Sequence, residues 1–79
     1  MEAFYQLCLM KSDILLKFGI RIRELRVANS WSQEDLADKA GFHRTYIGMI
    51  ERGERNLSLK NVEILANSFN LNLSDLLKI

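Results

Sequence analysis

Polar side chains that can form hydrogen bonds are concentrated between residues 32 and 56, and they are the candidates for chemistry in this chain. Arginine can donate two parallel bonds to one acceptor edge, while hydroxyl and amide groups add single bonds. A surface that carries such side chains can bind a partner through hydrogen bonds. The candidate site residues are Ser32, Gln33, His43, Arg44, Thr45, Tyr46, Met49, Arg52, Arg55 and Asn56.

The same sequence contains no recognisable set of catalytic residues. No Ser–His–acid set can be assembled, no Gly-rich phosphate loop is present, and no carboxylate pair lies isolated in an apolar setting. Cys8 is the single cysteine and His43 the single histidine, which excludes an intramolecular disulfide and a Cys–His metal site. We therefore expect no enzymatic activity, no cofactor and no metal.

The segment that must position the candidate residues predicts two short helices joined by a tight turn. Ser32 is a favourable N-cap, and Asp35 three residues later can complete a short-armed capping box. Gly41 can adopt a left-handed backbone conformation, which ends a helix and turns the chain sharply. The apolar positions expected to share an inward face are Leu36, Ala37 and Ala40 in the first helix and Ile47 and Ile50 in the second. This arrangement is a helix-turn-helix, whose second helix can lie in the major groove of DNA.

The string SQEDLADKAGFHRTYIGMIERGERN, residues 32–56, resembles the phage repressor and Cro type (XRE family) of helix-turn-helix regulators. The resemblance covers about residues 18–77, and its features agree in register: SQxxLA, the glycine turn, the IERG end and a capped helix afterwards. Within that family, RTYIGMIERGERNLSL is similar to the controller proteins of restriction–modification operons.

The start of the recognition helix is expected to reach base edges, because this end enters the groove first. Arg44 can donate to guanine O6 and N7, or it can be a solvated surface arginine. Thr45 can contact a base through its hydroxyl or methyl group, or it can help to cap the helix. Met49 can touch a thymine methyl or fill a gap in the core, and Gly48 would keep the helix face slim.

Phosphate contacts are expected from groups around that helix. Gln33 lies in the first turn of the preceding helix, where free N–H groups favour a phosphate, and the resembled family commonly has Gln at the matching place. Arg52, Arg55 and Asn56 would leave the recognition helix toward the DNA backbone. The resemblance implies in addition that Arg55 matches a controller-protein position able to read a base.

The remaining candidates have more than one interpretation. Tyr46 has a hydroxyl that can reach a phosphate and a ring that can equally pack against the protein. His43 is expected as a helix cap or a phosphate neighbour, and Ser32 caps the helix that carries Gln33.

The resemblance also implies one structural pair. Arg26 and Glu51 match two residues that form an ion bridge in phage repressors. We expect the two side chains to lie within hydrogen-bonding reach and to fix the angle of the recognition helix.

Residues 1–11 are expected to form an N-terminal extension and residues 12–79 a single helix-turn-helix domain. The residues of the extension that would share one face, if it is a helix and not a strand, are Phe4, Leu7 and Cys8. Ser12 is predicted to cap a first helix over about residues 13–28. Its expected core-facing residues are Leu15, Phe18, Ile22 and Leu25, with Lys17, Arg21 and Glu24 facing solvent.

The second half of the chain predicts two more helices. Ser58 is expected to cap the fourth, Asn70 suits the left-handed position after it, and Asn72 with Asp75 opens a short fifth. Trp31 is expected to pack over the core and not to stack on bases. The predicted fold class is all-α, a compact five-helix bundle of the phage repressor DNA-binding type with the helix-turn-helix formed by helices 2 and 3.

Composition sets limits on location and partners. The chain has 79 residues, 48% of them hydrophobic, which allows one domain with one core. The net charge of +1 is weak for a nucleic-acid binder, although Arg44, Arg52, Arg55 and Lys60 fall in the proposed DNA-facing half. The apolar residues 1–10 are too short to span a membrane and lack a secretion signal. We expect a cytoplasmic protein with no small-molecule effector.

The expected partners are double-stranded DNA and a second copy of the chain. Two recognition helices about 34 Å apart match one DNA turn, which favours a homodimer on a palindromic operator. The homodimer is expected to form through the C-terminal helices, with the end of helix four and the final helix as its surface. The residues expected there, unless they are interior, are Leu57, Leu71, Leu73, Leu76, Leu77 and Ile79. The leading hypothesis is a sequence-specific transcriptional regulator, with a restriction–modification controller as its narrower form. The alternative is an antitoxin-like protein-interaction module whose residues 1–10 occupy another protein.

Overall fold

The computed structural model describes the backbone of residues 2–79 and the side chains of residues 14–79. The helices in chain order are α1 (Glu2–Ala28), α2 (Gln33–Ala40), α3 (Arg44–Glu51), α4 (Leu59–Ser68) and α5 (Leu73–Leu76). No strand forms over the described backbone, so the predicted all-α, five-helix fold with the helix-turn-helix in α2 and α3 is confirmed.

Helix α1 is longer than the sequence predicted. The helical backbone begins at Glu2, so the prediction that Ser12 caps its start is wrong. No glycine or proline occurs between residues 2 and 17, so nothing in the local sequence obliges the helix to stop. The predicted packing of Phe4, Leu7 and Cys8 lies outside the described side chains, and the boundary between residues 1–11 and the domain stays a prediction. No helix within the described range is long and apolar enough to cross a membrane.

The predicted helix signals after Ser12 are confirmed at Ser32, Gly41, Ser58, Asn70 and Asn72. The Ser32 hydroxyl accepts from the Asp35 backbone N–H at 3.0 Å, and the Asp35 carboxylate accepts from the Ser32 backbone N–H at 2.9 Å. Gly41, which ends α2, has φ 75°, and Asn70, which follows α4, has φ 57°. The side chains of Ser58 and Asn72 accept from the backbone three residues on, as N-caps of α4 and α5. These caps give the turns their sharpness.

One core lies between the helices, where α3 packs against α1 and α2 and α4 packs against α2 and α5. Its buried members are Phe18, Ile22, Leu36, Ala37, Ile47, Ile50, Val62, Leu65, Ala66, Phe69 and Leu76. Trp31 stacks on Phe69 with ring centroids 5.4 Å apart, and the Lys39 ammonium lies 4.6 Å from the Trp31 ring centroid. Trp31 therefore packs on the core, as predicted.

The prediction that Arg21 faces solvent is wrong. Its Nε donates to the Leu76 carbonyl at 3.1 Å, and its Nη2 donates to the Asp75 carbonyl at 2.7 Å. The last carbonyls of a helix have no partner within the helix, and here a cation from α1 satisfies those of α5. The pattern of apolar residues could not show that α5 ends beside this arginine, so its bonding was missed.

Candidate nucleic-acid interface

The C-terminal end of α3 is fixed by an ion pair with α1. Arg26 Nε lies 2.6 Å from Glu51 Oε2, and Arg26 Nη2 donates to Glu51 Oε1 at 3.1 Å. The side chains of Arg26 and Glu51 are only 13% and 5% exposed, and Arg26 Nη1 also donates to the Trp31 carbonyl at 2.8 Å. The hydrogen bond that Arg26 donates to Glu51 raises the pKa of Arg26 above its ordinary value, which keeps the guanidinium charged. The predicted Arg26–Glu51 bridge is confirmed.

A close backbone approach holds the same end of α3. A Cβ atom added to Gly19 would lie 2.5 Å from the Ile50 carbonyl oxygen and 2.7 Å from that of Glu51. Only a residue without a side chain allows α1 and α3 to come this close, because real Cβ contacts are never so short with backbone. Sequence analysis missed this contact, and its one signal is a glycine inside a helix, where glycine is unfavourable.

The N-terminal end of α3 is open. Arg44 and Thr45 are exposed, while Ile47 and Ile50 on the opposite face are buried in the core. His43 occupies the N-cap position and is exposed, but its side chain makes no capping hydrogen bond. Two of the predicted base-contact residues therefore face outward together at the leading end of α3.

The middle of α3 differs from the prediction. Gly48 is buried and does not form part of an exposed face, because Arg52 and Gln33 lie over it. An added Cβ would lie 3.2 Å from Arg52 Nη1 and 3.7 Å from Gln33 Oε1. Met49 is half-buried, so its side chain has both a protein-facing and a solvent-facing part. The missing side chain makes room for two polar residues that border the site.

Gln33 joins the start of α2 to the fixed end of α3. Its Nε2 donates to Glu51 Oε1 at 3.2 Å, so Glu51 orients both Gln33 and Arg26. Ser32, the N-cap of α2, is exposed beside it. Hydrogen bonds with Ser32 lower the pKa of Asp35 below its ordinary value, so the first turn of α2 is capped by a carboxylate at neutral pH.

Tyr46 is held by its neighbours. Its ring meets Phe42 edge-on with centroids 5.0 Å apart, and its hydroxyl accepts from Asn61 Nδ2 at 3.1 Å. The Arg55 guanidinium carbon lies 5.2 Å from the Tyr46 ring centroid, a distance suited to cation–π attraction. The structure therefore shows the packing role of the ring and ties Arg55 to α3, a contact that sequence analysis did not predict.

The residues that follow α3 are exposed but differ in their contacts. Arg52 donates from Nε to Glu54 Oε2 at 2.9 Å and from Nη2 to Glu54 Oε1 at 3.2 Å. The hydrogen bond with Arg52 lowers the pKa of Glu54, and the same bond raises the pKa of Arg52. Asn56 is exposed in the loop that leads to α4. The pairing of Glu54 with Arg52 was not predicted from the sequence.

The predicted site residues lie on α2, α3 and the segments that flank these helices, and together we call them the recognition face. Its members are Ser32, Gln33, His43, Arg44, Thr45, Tyr46, Met49, Arg52, Arg55 and Asn56. A search of the described residues finds no group of His, Cys, Asp and Glu suited to a metal ion. The chemistry this surface offers is hydrogen bonding from guanidinium, amide and hydroxyl groups.

Comparison with known proteins defines the class. The helix-turn-helix family matches residues 22–76, and the chain belongs to this family of DNA-binding transcription regulators. The control protein C.BamHI of Bacillus amyloliquefaciens is 45% identical over 69 residues, which is 86% of this chain and 85% of that protein.

Solved structures give the same result. The crystal structure of the restriction-modification controller protein C.AhdI from Aeromonas hydrophila is similar, with a TM-score of 0.75 and 48% identity. That match covers 78% of this chain and 94% of C.AhdI. The controller protein C.Esp1396I, solved as a tetramer in complex with its natural 35 base-pair operator, has a TM-score of 0.73 and 34% identity. This match covers 81% of this chain and 88% of C.Esp1396I.

Proposed function

We propose that this protein is the controller of a restriction–modification system, a regulator that binds a palindromic operator as a homodimer. The observation that carries the proposal is the state of α3, whose leading end presents Arg44 and Thr45 to solvent while its other end is fixed to α1. A helix placed in this way can enter a major groove without reorganising. The similarity to C.BamHI and C.AhdI supports the narrower assignment.

Base reading is assigned to the leading end of α3. Arg44 suits a bidentate contact with guanine, and Thr45 suits a single hydrogen bond or a thymine methyl. Arg55, tied to the Tyr46 ring, is placed to add a further contact from the loop. Met49 contributes through the part of its side chain that faces solvent.

Phosphate contacts are assigned to the borders of the recognition face. Ser32 and Gln33 lie at the N-terminus of α2, where backbone N–H groups point outward and attract an anion. His43 and Asn56 are exposed on either side of α3. These groups would fix the register of the protein on the duplex and carry little sequence information.

The dimer surface is assigned to an apolar groove between α1, the loop before α4 and the C-terminus. The described residues that line it are Ile14, Leu15, Phe18, Asn56, Leu57, Leu59, Val62, Leu77 and Ile79. Of the leucines expected at such a surface, Leu76 is fully buried in the core, whereas Leu77 remains 40% exposed. Leu59, which sequence analysis did not include, is 75% exposed. A chain of this size gains stability by covering such a patch with a second copy.

A regulator that binds an operator acts where the DNA is, so this function implies a location in the cytoplasm. The antitoxin-like alternative depends on residues 1–10, whose side chains lie outside the described part of the chain.

Binding to DNA and self-association test this function together. The DNA upstream of the protein's own gene and a scrambled duplex of equal length would be titrated by fluorescence anisotropy. Sedimentation equilibrium would report the oligomeric state of wild type, Leu77→Lys and the matched control Val27→Lys, an exposed residue outside the groove. We expect wild type and Val27→Lys to be dimers that prefer the upstream DNA, and Leu77→Lys to be monomeric with weaker binding. Equal affinity of wild type for both duplexes, or operator binding by a monomer, would contradict the proposal.

A further inference from the structure

The Glu54 carboxylate lies beside the recognition face and accepts hydrogen bonds from one of its cations, Arg52. The Arg52 guanidinium at the C-terminal end of α3 meets the Glu54 carboxylate in a two-bond, side-on arrangement, with distances of 2.9 and 3.2 Å. The side chains are 59% and 52% exposed, so neither is held by burial. The pair is therefore a surface ion pair and not part of the core.

The surroundings of this pair are those of a phosphate site. Arg52 Nη1 and the Gln33 side-chain amide both lie over Gly48, 3.2 and 3.7 Å from the position of a Cβ added there, and Gln33 opens α2. Arg55 and Asn56 follow directly in the chain and are exposed. A DNA phosphate that approaches Arg52 from this side would meet a guanidinium with two of its donors already directed at Glu54.

A carboxylate and a phosphate present similar pairs of oxygen atoms to a guanidinium. An exposed ion pair of this kind contributes little to stability, so Arg52 can exchange one acceptor for the other without damage to the fold. After the exchange, however, the Glu54 carboxylate loses its cation and stays close to the phosphates. The exchange is thus opposed by repulsion and by the loss of the internal bond.

We propose that Glu54 is an internal competitor for DNA phosphate, which holds Arg52 in the free protein and lowers the affinity of the recognition face for the duplex backbone. This inference rests on the proposed function, since it assigns a role within the same DNA-binding surface. It concerns the sequence-independent part of binding, because Glu54 makes no contact with Arg44 or Thr45 among the described residues.

The competition between Glu54 and DNA phosphate can be measured through the salt dependence of binding. A cation that neutralises a phosphate normally releases about one bound counterion, which steepens the salt dependence of binding. If Arg52 must first leave Glu54, the freed carboxylate binds a cation from solution. This uptake offsets the counterion that the DNA releases, so the net number of counterions released at this contact falls toward zero. Removing the Glu54 charge should therefore both tighten binding and increase its sensitivity to salt.

A double-mutant cycle with full-length protein tests this competition. Dissociation constants of wild type, Glu54→Gln, Arg52→Gln and the double variant would be measured on the upstream DNA and on a scrambled duplex, from about 50 to 200 mM salt. We expect Glu54→Gln to bind both duplexes about three- to tenfold more tightly, with a slope of log K against log salt steeper by about one. Arg52→Gln should weaken binding to both duplexes by a similar factor, and the gain from Glu54→Gln should be clearly smaller when Arg52 is already replaced.

Glu63→Gln is the matched control, because it removes the same charge from an exposed position on α4. It should leave both affinity and slope within about twofold of wild type, and circular dichroism should show all variants folded. The inference is overturned if Glu54→Gln behaves as wild type, if Glu63→Gln gives an equal gain, or if the two substitutions at Arg52 and Glu54 are additive. A wild-type protein that binds neither duplex would overturn the proposed function together with this inference.

Discussion

The two ends of α3 are built in opposite ways. At the C-terminal end, Glu51 is 5% exposed and bonded to both Arg26 and Gln33, and the backbone lies against Gly19. At the N-terminal end, Arg44 is exposed and its helix starts at a cap whose side chain makes no hydrogen bond. One end is fixed by contacts to two other helices, and the other end faces solvent.

This difference assigns separate roles to the two ends of α3: one end orients the helix, and the other end is available to contact bases. Contacts at the C-terminal end set the direction of α3 relative to the rest of the domain. The exposed N-terminal end therefore has a fixed position although it makes few contacts of its own. Exposed residues can then change with small effects on stability, since substitutions away from buried contacts are usually mild. We expect changes at the fixed end to act on folding, and changes at the open end to act on binding.

The largest effect is expected from Glu51→Ala. Its removal leaves the nearly buried Arg26 guanidinium without its anionic partner, and the free energy of unfolding should fall by roughly 3 kcal/mol. Urea denaturation followed by circular dichroism would measure the change. The matched control is Glu54→Ala, which breaks an exposed Arg–Glu pair and should leave the midpoint near that of wild type. Equal losses in the two variants would contradict the distinction between the ends of α3.

Gly19→Ala is expected to have the next largest effect. The added Cβ would overlap the carbonyl oxygens of Ile50 and Glu51, so α1 and α3 must move apart at a cost of about 1–3 kcal/mol. The control Gly48→Ala places its Cβ near the flexible Arg52 side chain and should not lower stability, because alanine is the better helix former. Thermal unfolding of the two variants gives the comparison. A Gly19→Ala protein as stable as Gly48→Ala would show that the close approach is not required.

A smaller effect is expected from the cap that holds the start of α2. Hydrogen bonds with Ser32 lower the pKa of Asp35 in the folded chain, so the carboxylate binds its proton less readily than in the unfolded chain. The stability it contributes is complete above the unfolded pKa, near 4, and is lost as the pH falls through the lower folded value. Asp35→Asn should therefore be less stable than wild type at pH 6, with the difference shrinking below about pH 4. Urea denaturation midpoints of wild type and Asp35→Asn would be measured across this pH range. A stability difference that stays the same below about pH 4 would contradict the role of the Asp35 carboxylate.

Local features of the fold were predictable because their signals lie within a few residues. Ser32 with Asp35 and the left-handed Gly41 need only neighbouring backbone, and both were confirmed. The Arg26–Glu51 bridge spans 25 residues and came from the resemblance and not from the pattern of residues.

The Ser12 cap was the local signal that failed, and the contacts that were missed join distant segments. Gly19 against Ile50 and Arg21 against α5 depend on how whole helices pack, which hydrophobic periodicity does not encode. Gly48 was expected on an open face, but the side chains of Gln33 and Arg52 cover it. The candidate site residues came from their place at the ends of the two helices and from the resemblance, while their pairing, as between Arg52 and Glu54, depended on side-chain conformation.

The central claim is that the open end of α3 reads bases, and Arg44→Ala tests it most directly. Affinities for the upstream DNA and for a scrambled duplex would be compared with those of Arg23→Ala, which removes the same charge from an exposed position on α1. We predict that Arg44→Ala loses about 1–3 kcal/mol on the upstream DNA and much of its preference over the scrambled duplex, whereas Arg23→Ala keeps that preference. An Arg44→Ala protein with the affinity and preference of wild type would contradict the claim.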